Sequence, residues 1–278
     1  MKRVCREAGL GKVKVGHGGT LDPLASGVLP IALGEATKLC GRMLDASKIY
    51  DFTVRFGEET DTLDAEGSLV ATSDARPARD AVVALMPRFT GAIEQVPPAY
   101  SALKVDGRRA YDLARSGAAV ALATRSVAIH SLALLATNPD EATLRAHVSK
   151  GTYIRSLARD IAFALGTVGH VTFLRRIKAG PFHQDQAISL DTLNEIGKGA
   201  PLQDHLLPLE AGLDDIPALA LDPTSAQAVR QGRELSGLPQ ADGLHFAKLG
   251  DVPVALMEIA GGTAKVVRGF NLSSDVAE

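Results

Sequence analysis

The chain has 278 residues, 46% of them hydrophobic, with a formal charge of −2, two cysteines and no tryptophan. That length can bury a full apolar core in one large domain plus a small one, while two cysteines with no C-x-x-C and no Cys/His cluster suggest neither a disulfide framework nor a metal site. No apolar run approaches the roughly 18 residues of a membrane helix, and the basic start at Lys2, Arg3 and Arg6 leads into no hydrophobic signal segment; the expectation is a cytoplasmic protein.

The first distinctive stretch is GHGGTLDPLASGVLP, from Gly16 to Pro30. Gly16, Gly18 and Gly19 allow positive φ and close approach of another molecule. Pro23 fixes its own φ and pushes Asp22 out of the helical region, so Asp22 is presented rather than packed. An ordinary Gly-rich Asp-Pro turn accounts for the same residue types. A phosphate loop does not, because no Lys-Ser/Thr pair follows the glycines and GHGG is not a GxGxxG fingerprint.

Tyr50 to Phe56 alternates apolar and polar residues, the pattern of a half-buried strand. Arg79 to Phe89 and Arg108 to Ser116 read as helices, the second stopped by Gly117. Thr143 to Val148 alternates again, with Leu144, Ala146 and Val148 on one face. The period then changes: Ile154, Leu157, Ile161 and Leu165 form a helical stripe that ends at Gly166. Tyr153 and Arg155 therefore sit where a strand hands over to a helix N-terminus, a place that favours anions. After Pro208 the runs become short and strand-like, Pro253 to Ile259 and Ala264 to Val267, around the Gly261-Gly262 turn. Strands and helices without regular βαβ alternation point to an α+β fold.

Charge is unevenly spread. Residues 1–180 hold 24 Lys and Arg against 18 Asp and Glu, and residues 181–278 hold 6 against 14, so a nucleic acid would lie on the first part. A solvated surface explains so modest an excess equally well. Lys12, Lys14, Lys38, Arg42, Lys48, Arg108, Arg109, Arg175, Arg176 and Lys178 cluster near the distinctive segments and are expected to track a phosphate backbone.

The stretch HGGTLDPLASG, His17 to Gly27, resembles the catalytic loop of the TruB family, the bacterial tRNA pseudouridine-55 synthases. SKIYDFTVRFGEETDTLDAEG (Ser47 to Gly67), VPPAYSALKVDGRRAY (Val96 to Tyr111), SKGTYIRSLARDI (Ser149 to Ile161) and HVTFLRRI (His170 to Ile177) are similar to further segments of that family in the expected order. The resemblance implies a pseudouridine synthase fold with a mixed, mainly antiparallel sheet and flanking helices over residues 1–215. It also implies a small PUA-like β-barrel that binds RNA over residues 216–278. Family members begin with a strand and a Lys-Pro turn that the 15 residues before Gly16 do not show, so that N-terminal strand is expected to be missing.

The implied activity is isomerisation of uridine 55 in the T-arm loop of tRNA. That reaction keeps every atom of the nucleotide, so no cofactor and no metal is expected, nor any obligatory protein partner. Asp22 is the implied nucleophile, with Arg155 paired to it to orient it and favour its charged form. Tyr50 is similar to the family's stacking tyrosine, and Tyr153 to a second tyrosine near the C5 proton, as base or relay. Leu174 would close the pocket by apolar contact, and His17 would hold the opened RNA loop. From residue types alone, core packing suits Tyr50, Tyr153 and Leu174 as well, a surface helix start suits Arg155, and a backbone-satisfied turn suits His17. Two other functions fit the same sequence: a non-catalytic tRNA-binding or tRNA-folding protein with the same cleft, and a phosphate-binding metabolic enzyme built on the Gly16 to Gly19 loop.

Overall fold

The computed structural model describes residues 1–272 apart from Ala102, Asp106 and residues 116–121, and for Lys104, Val105, Arg108, Arg109, Ala114 and Arg115 it describes the backbone alone. The chain forms two compact units. One comprises residues 20–29 and 44–185; the other comprises residues 1–19, 30–43 and 186–278.

The first of these is built on a seven-stranded sheet. Its strands are β1 (Ser26–Gly27), β2 (Lys48–Phe56), β3 (Gly91–Gln95), β4 (Arg125–Thr137), β5 (Glu141–Val148), β6 (Gly169–Ala179) and β7 (Phe182–His183). They run in the order β7-β6-β2-β5-β4-β3, with β1 added to β6. Every pairing is antiparallel except that of β1 with β6. The period-2 patterns read from the sequence set the faces. Phe52, Val54 and Phe56 of β2 and Ala142, Leu144, Ala146 and Val148 of β5 point to one side and are buried, as alternation requires.

Helix Ile154–Ala164 covers that side with Ile154, Leu157, Ala158 and Ile161, and these join Val171 and Leu174 of β6 in one apolar cluster. The expected helical stretch from Arg79 is an α-helix to Leu85 continued by a 3-10 turn, Met86–Phe89. Arg108–Arg109 is not helical: it pairs with Lys104–Val105 as a short hairpin, and the helix starts at Ala110. The stop expected at Ser116 and Gly117 lies outside the described residues.

In the other unit a curled five-stranded sheet has the order Ala218–Ala220, Gly243–Leu249, Val252–Ala260, Thr263–Gly269, Leu235–Ser236. The turn between the two long C-terminal strands uses Gly261 and Gly262 at φ 55° and 73°, where a side chain would be strained. Helix Pro223–Arg230 is capped by Asp222, whose carboxylate accepts from the Ser225 N–H, and it starts with Pro223 at its first position. A half-barrel of this kind fits a PUA-like domain. Leu39 and Leu213 are buried against Ile216, Phe246, Leu256 and Phe270 of this sheet region. Residues 2–7, which carry no strand signal, form a helix whose Val4 packs on Ile196 and Leu202. Among the described residues no helix is long and apolar enough to cross a membrane.

Candidate active site

The Asp22 segment leaves the strand pair Val15–His17 and Ile31–Leu33 and returns to it. The glycines before Asp22 are needed by the protein itself. A Cβ on Gly16 would lie 2.7 Å from Cys40 Sγ, and one on Gly18 would lie 2.6 Å from Met43 Cβ. The close approach expected of another molecule is therefore made, at these two positions, by the chain's own side chains. Gly19 alone of the three takes a positive φ, 132°.

Asp22, Tyr50, Tyr153 and Leu174 line one cavity of about 100 Å³ together with Thr20, Leu21, Ala25, Thr152 and Ile154. Tyr50 comes from β2, opposite Ala146 of β5 and Arg176 of β6. Leu174 comes from β6, and Tyr153 is the residue that caps the helix starting at Ile154. Aromatic and aliphatic walls alternate with the hydroxyls of Thr20 and Thr152, and one carboxylate, that of Asp22, stands at the cavity.

Arg155 lies behind the carboxylate and is 5% exposed. Its Nε donates to Asp22 Oδ2 at 2.9 Å, its Nη1 to the Thr62 carbonyl at 2.8 Å, and its Nη2 to the Tyr100 carbonyl at 3.0 Å. All three guanidinium nitrogens are thus used, which fixes the plane of Arg155 and anchors one oxygen of Asp22. The Asp22 side chain remains 33% exposed. Paired but reachable is the state a carboxylate needs in order to attack something in the cavity.

A second carboxylate, Asp64, was not singled out by the sequence. It is 3% exposed, and its Oδ2 lies 3.3 Å from Arg155 Nη1. Its Oδ1 accepts from the Thr62 hydroxyl at 2.6 Å and the Glu66 N–H at 3.1 Å. Arg155 is therefore shared between two carboxylates, one buried and one facing the cavity. The turn that delivers Asp64 is strained: Leu63 has φ 63°, the one non-glycine with positive φ among the described residues. Such a conformation costs on the order of 1–3 kcal/mol and clusters at functional sites. It aims both the Thr62 carbonyl and the Asp64 carboxylate at Arg155. The TDTLDAEG segment offered three acids, and nothing in their spacing said which one turns inward.

Gln95, fully buried on β3, was also missed. Its side chain accepts from the Tyr153 N–H at 2.8 Å and donates to the Tyr153 carbonyl at 3.1 Å, as another strand would. The cap residue is thereby held from both sides of its peptide. Burial pushes the Tyr153 hydroxyl above the usual phenol range. Arg125, whose guanidinium carbon is 5.5 Å from the ring centroid, and the Ser101 hydroxyl oppose that shift, while Asp22 adds to it. At neutral pH Tyr153 is a protonated phenol, suited to relay a proton rather than to act as a standing base.

His17 belongs to the other unit. It is exposed at the end of strand Val15–His17, and its Nδ1 accepts from the Gly19 N–H at 3.4 Å.

The cations expected on a phosphate backbone divide. Lys12, Lys14 and Arg175 are exposed. Lys38 is engaged by Glu35 and the Gly269 carbonyl, and Arg42 by Asp215. Lys48 and Arg176 are 7% and 1% exposed, so neither is available to a phosphate. The Arg108 and Arg109 side chains lie outside what the structure describes. Burial, which linear charge counting ignores, makes this correction.

The pattern described as TruB family pseudouridylate synthase (N terminal domain) matches residues 6–154, and that described as tRNA pseudouridylate synthase B C-terminal domain matches residues 155–214. A relative from Novosphingobium aromaticivorans named tRNA pseudouridine synthase B is 68% identical over all of this chain and 93% of its own length. One of the same name from Zymomonas mobilis is 57% identical over 98% of this chain and 89% of its own. Among solved structures, one described as an H/ACA RNP bound to a substrate RNA containing 2'-deoxyuridine matches with a TM-score of 0.70 at 24% identity, over 96% of this chain and 78% of that one. The last is a likeness of fold, while the two sequence patterns together span most of the chain. It belongs to the TruB family of pseudouridylate synthases.

Proposed function

We propose that this chain converts the uridine at position 55 in the T-arm loop of tRNA to pseudouridine, with Asp22 as the nucleophile. One observation carries the reading: a carboxylate held by a buried arginine, yet one third exposed, stands at a cavity walled by two tyrosines and a leucine. The relatives' name supports tRNA as the substrate, and the T-arm loop rests on the motif resemblance.

The reaction breaks the bond from N1 of uracil to C1′, turns the base and joins C5 to C1′. A proton leaves C5 and N1 gains one, so the atoms balance with no redox partner. A base inside a folded loop must first be extruded, and flat walls receive it. Tyr50 supplies the stacking face and Leu174 the opposite apolar contact. Arg155 holds Asp22 aimed at the cavity, as a carboxylate nucleophile requires. Tyr153, a half-buried phenol at the same cavity as Asp22, passes on the C5 proton. His17 engages the opened RNA loop, residues 1–215 carry catalysis, and residues 216–278 act as an RNA-binding module.

Tritium release from a C5-labelled T-arm stem-loop tests this. Asp22→Asn keeps the side chain's shape and loses its charge, so turnover should vanish while RNA binding persists. Turnover within about tenfold of the parent, equivalent to about 1.4 kcal/mol in barrier, would end the assignment of Asp22.

A further inference from the structure

Arg176 has the largest fully buried side chain among the described residues, 1% exposed, in a segment whose cations were expected to meet RNA. Its guanidinium faces inward onto the segment that carries Asp22. Nε donates to the Val28 carbonyl at 2.6 Å, and Nη1 donates to the Thr20 carbonyl at 3.2 Å. Nη1 also reaches the Tyr50 hydroxyl at 3.4 Å, with the guanidinium carbon 6.0 Å from that ring's centroid.

The backbone of the same residue grips the same segment. The Val28 N–H donates to the Arg176 carbonyl at 2.9 Å, and Ser26–Gly27 pairs in parallel with Arg175–Arg176. Approach there is so close that a Cβ on Gly27 would lie 2.2 Å from the Arg176 oxygen. A bulge follows at once, between Arg176 and Lys178, and bulges of this kind re-aim side chains next to active sites.

Thr20 and Val28 bracket Asp22, so a single guanidinium ties both ends of the loop to one strand. The same group touches Tyr50, which lines the same cavity as Asp22. We infer that Arg176 is a positioning residue: it sets the separation between the Asp22 carboxylate and the Tyr50 ring without touching RNA. This rests on Asp22 being the nucleophile.

The planar fork of arginine can bond two carbonyls at a fixed spacing, whereas the ammonium of lysine is a single point on a flexible stem. Bonds from a charged donor are also the stronger kind. Reacting groups lose on the order of a hundredfold in rate when displaced by about 1 Å, which is the scale of movement a loosened loop end permits.

The test separates chemistry from binding. Single-turnover tritium release at saturating enzyme is measured for the full chain, Arg176→Lys, Arg176→Ala and Asp22→Asn, with tRNA affinity taken by filter binding over a salt series. We expect Arg176→Lys to lose about a hundredfold in single-turnover rate with unchanged affinity and salt slope. Guanidinium ion at sub-denaturing concentration should restore part of the Arg176→Ala rate, and methylammonium should not. If Arg176→Ala does not yield folded protein, Arg176→Lys alone decides. An unchanged single-turnover rate in Arg176→Lys overturns the inference. So does a full rate at saturation with weakened affinity and a salt slope lowered by about one, the mark of a lost phosphate contact. An inactive Asp22→Asn beside a fully active Arg176→Lys removes the role of Arg176 only, whereas an active Asp22→Asn removes the underlying reading of Asp22.

Discussion

Asp64→Asn isolates the charge of the buried carboxylate from its shape. Removing one partner of a buried ion pair costs about 3–5 kcal/mol when the other is left uncompensated. Arg155 is not left so: Asp22 Oδ2 stays at 2.9 Å, and the carbonyls of Thr62 and Tyr100 still accept from it. The asparagine oxygen also still accepts from the Thr62 hydroxyl and the Glu66 N–H, the partners of Asp64 Oδ1. What disappears is one charge-assisted contact at 3.3 Å, for which about 1.5–3 kcal/mol is the appropriate scale. At roughly 2–4 °C per kcal/mol for domains of 150–250 residues, the melting temperature should fall by about 3–12 °C. Catalysis should suffer too, because Arg155 released from Asp64 is free to shift toward Asp22 and turn its carboxylate. A loss of about a hundredfold in turnover corresponds to a displacement near 1 Å. Circular dichroism melts and tritium release from a C5-labelled T-arm stem-loop read the two effects separately. A variant that melts like the parent and turns over like it would refute the idea that Asp64 holds Arg155 in place.

Tyr50→Ala should weaken the flipped-out complex by about 1–3 kcal/mol, the value of a base stacked on an aromatic ring, measured as tRNA affinity in an Asp22→Asn background. Tyr50→Phe should recover most of that affinity, and equal loss in both variants would remove stacking as the role. Tyr153→Phe should lose single-turnover rate with little change in affinity, since the ring and the Gln95 clamp remain while the hydroxyl goes; an unchanged rate would leave Tyr153 as packing. Burial first, then the nearby Arg176 charge, lowers the Lys48 ammonium from 10.5 to about 8 against the pull of Asp45. Between those values the unfolded chain holds a proton the folded chain has given up, so stability should rise with pH there. Lys48→Met should flatten that rise in urea midpoints taken across the same range, and an unflattened curve would refute the assignment.

The sequence by itself determined the local elements and the order of the site segments. Alternation in YDFTVRF and the 3.6-period stripe from Ile154 to Leu165 describe which residues face a common core, and that information is local. Asp22 in its Asp-Pro loop, Tyr50 near a strand start, and Tyr153 and Arg155 at a helix start were readable for the same reason. Tertiary structure decided which charges turned inward. Arg176 and Arg175 are neighbours of the same type, yet β6 points one into the protein and the other to solvent. Asp64 rather than Asp61 reached Arg155 because Leu63 adopts a left-handed turn that propensity disfavours. Gly16 and Gly18 looked like room for a ligand, but residues some 25 positions along the chain, Cys40 and Met43, fill the space beside them. A buried charge is tolerated only where distant partners converge on it, and pairings such as Arg155 with Asp22, or Arg176 with Thr20 and Val28, exist once the sheet has brought its strands into register.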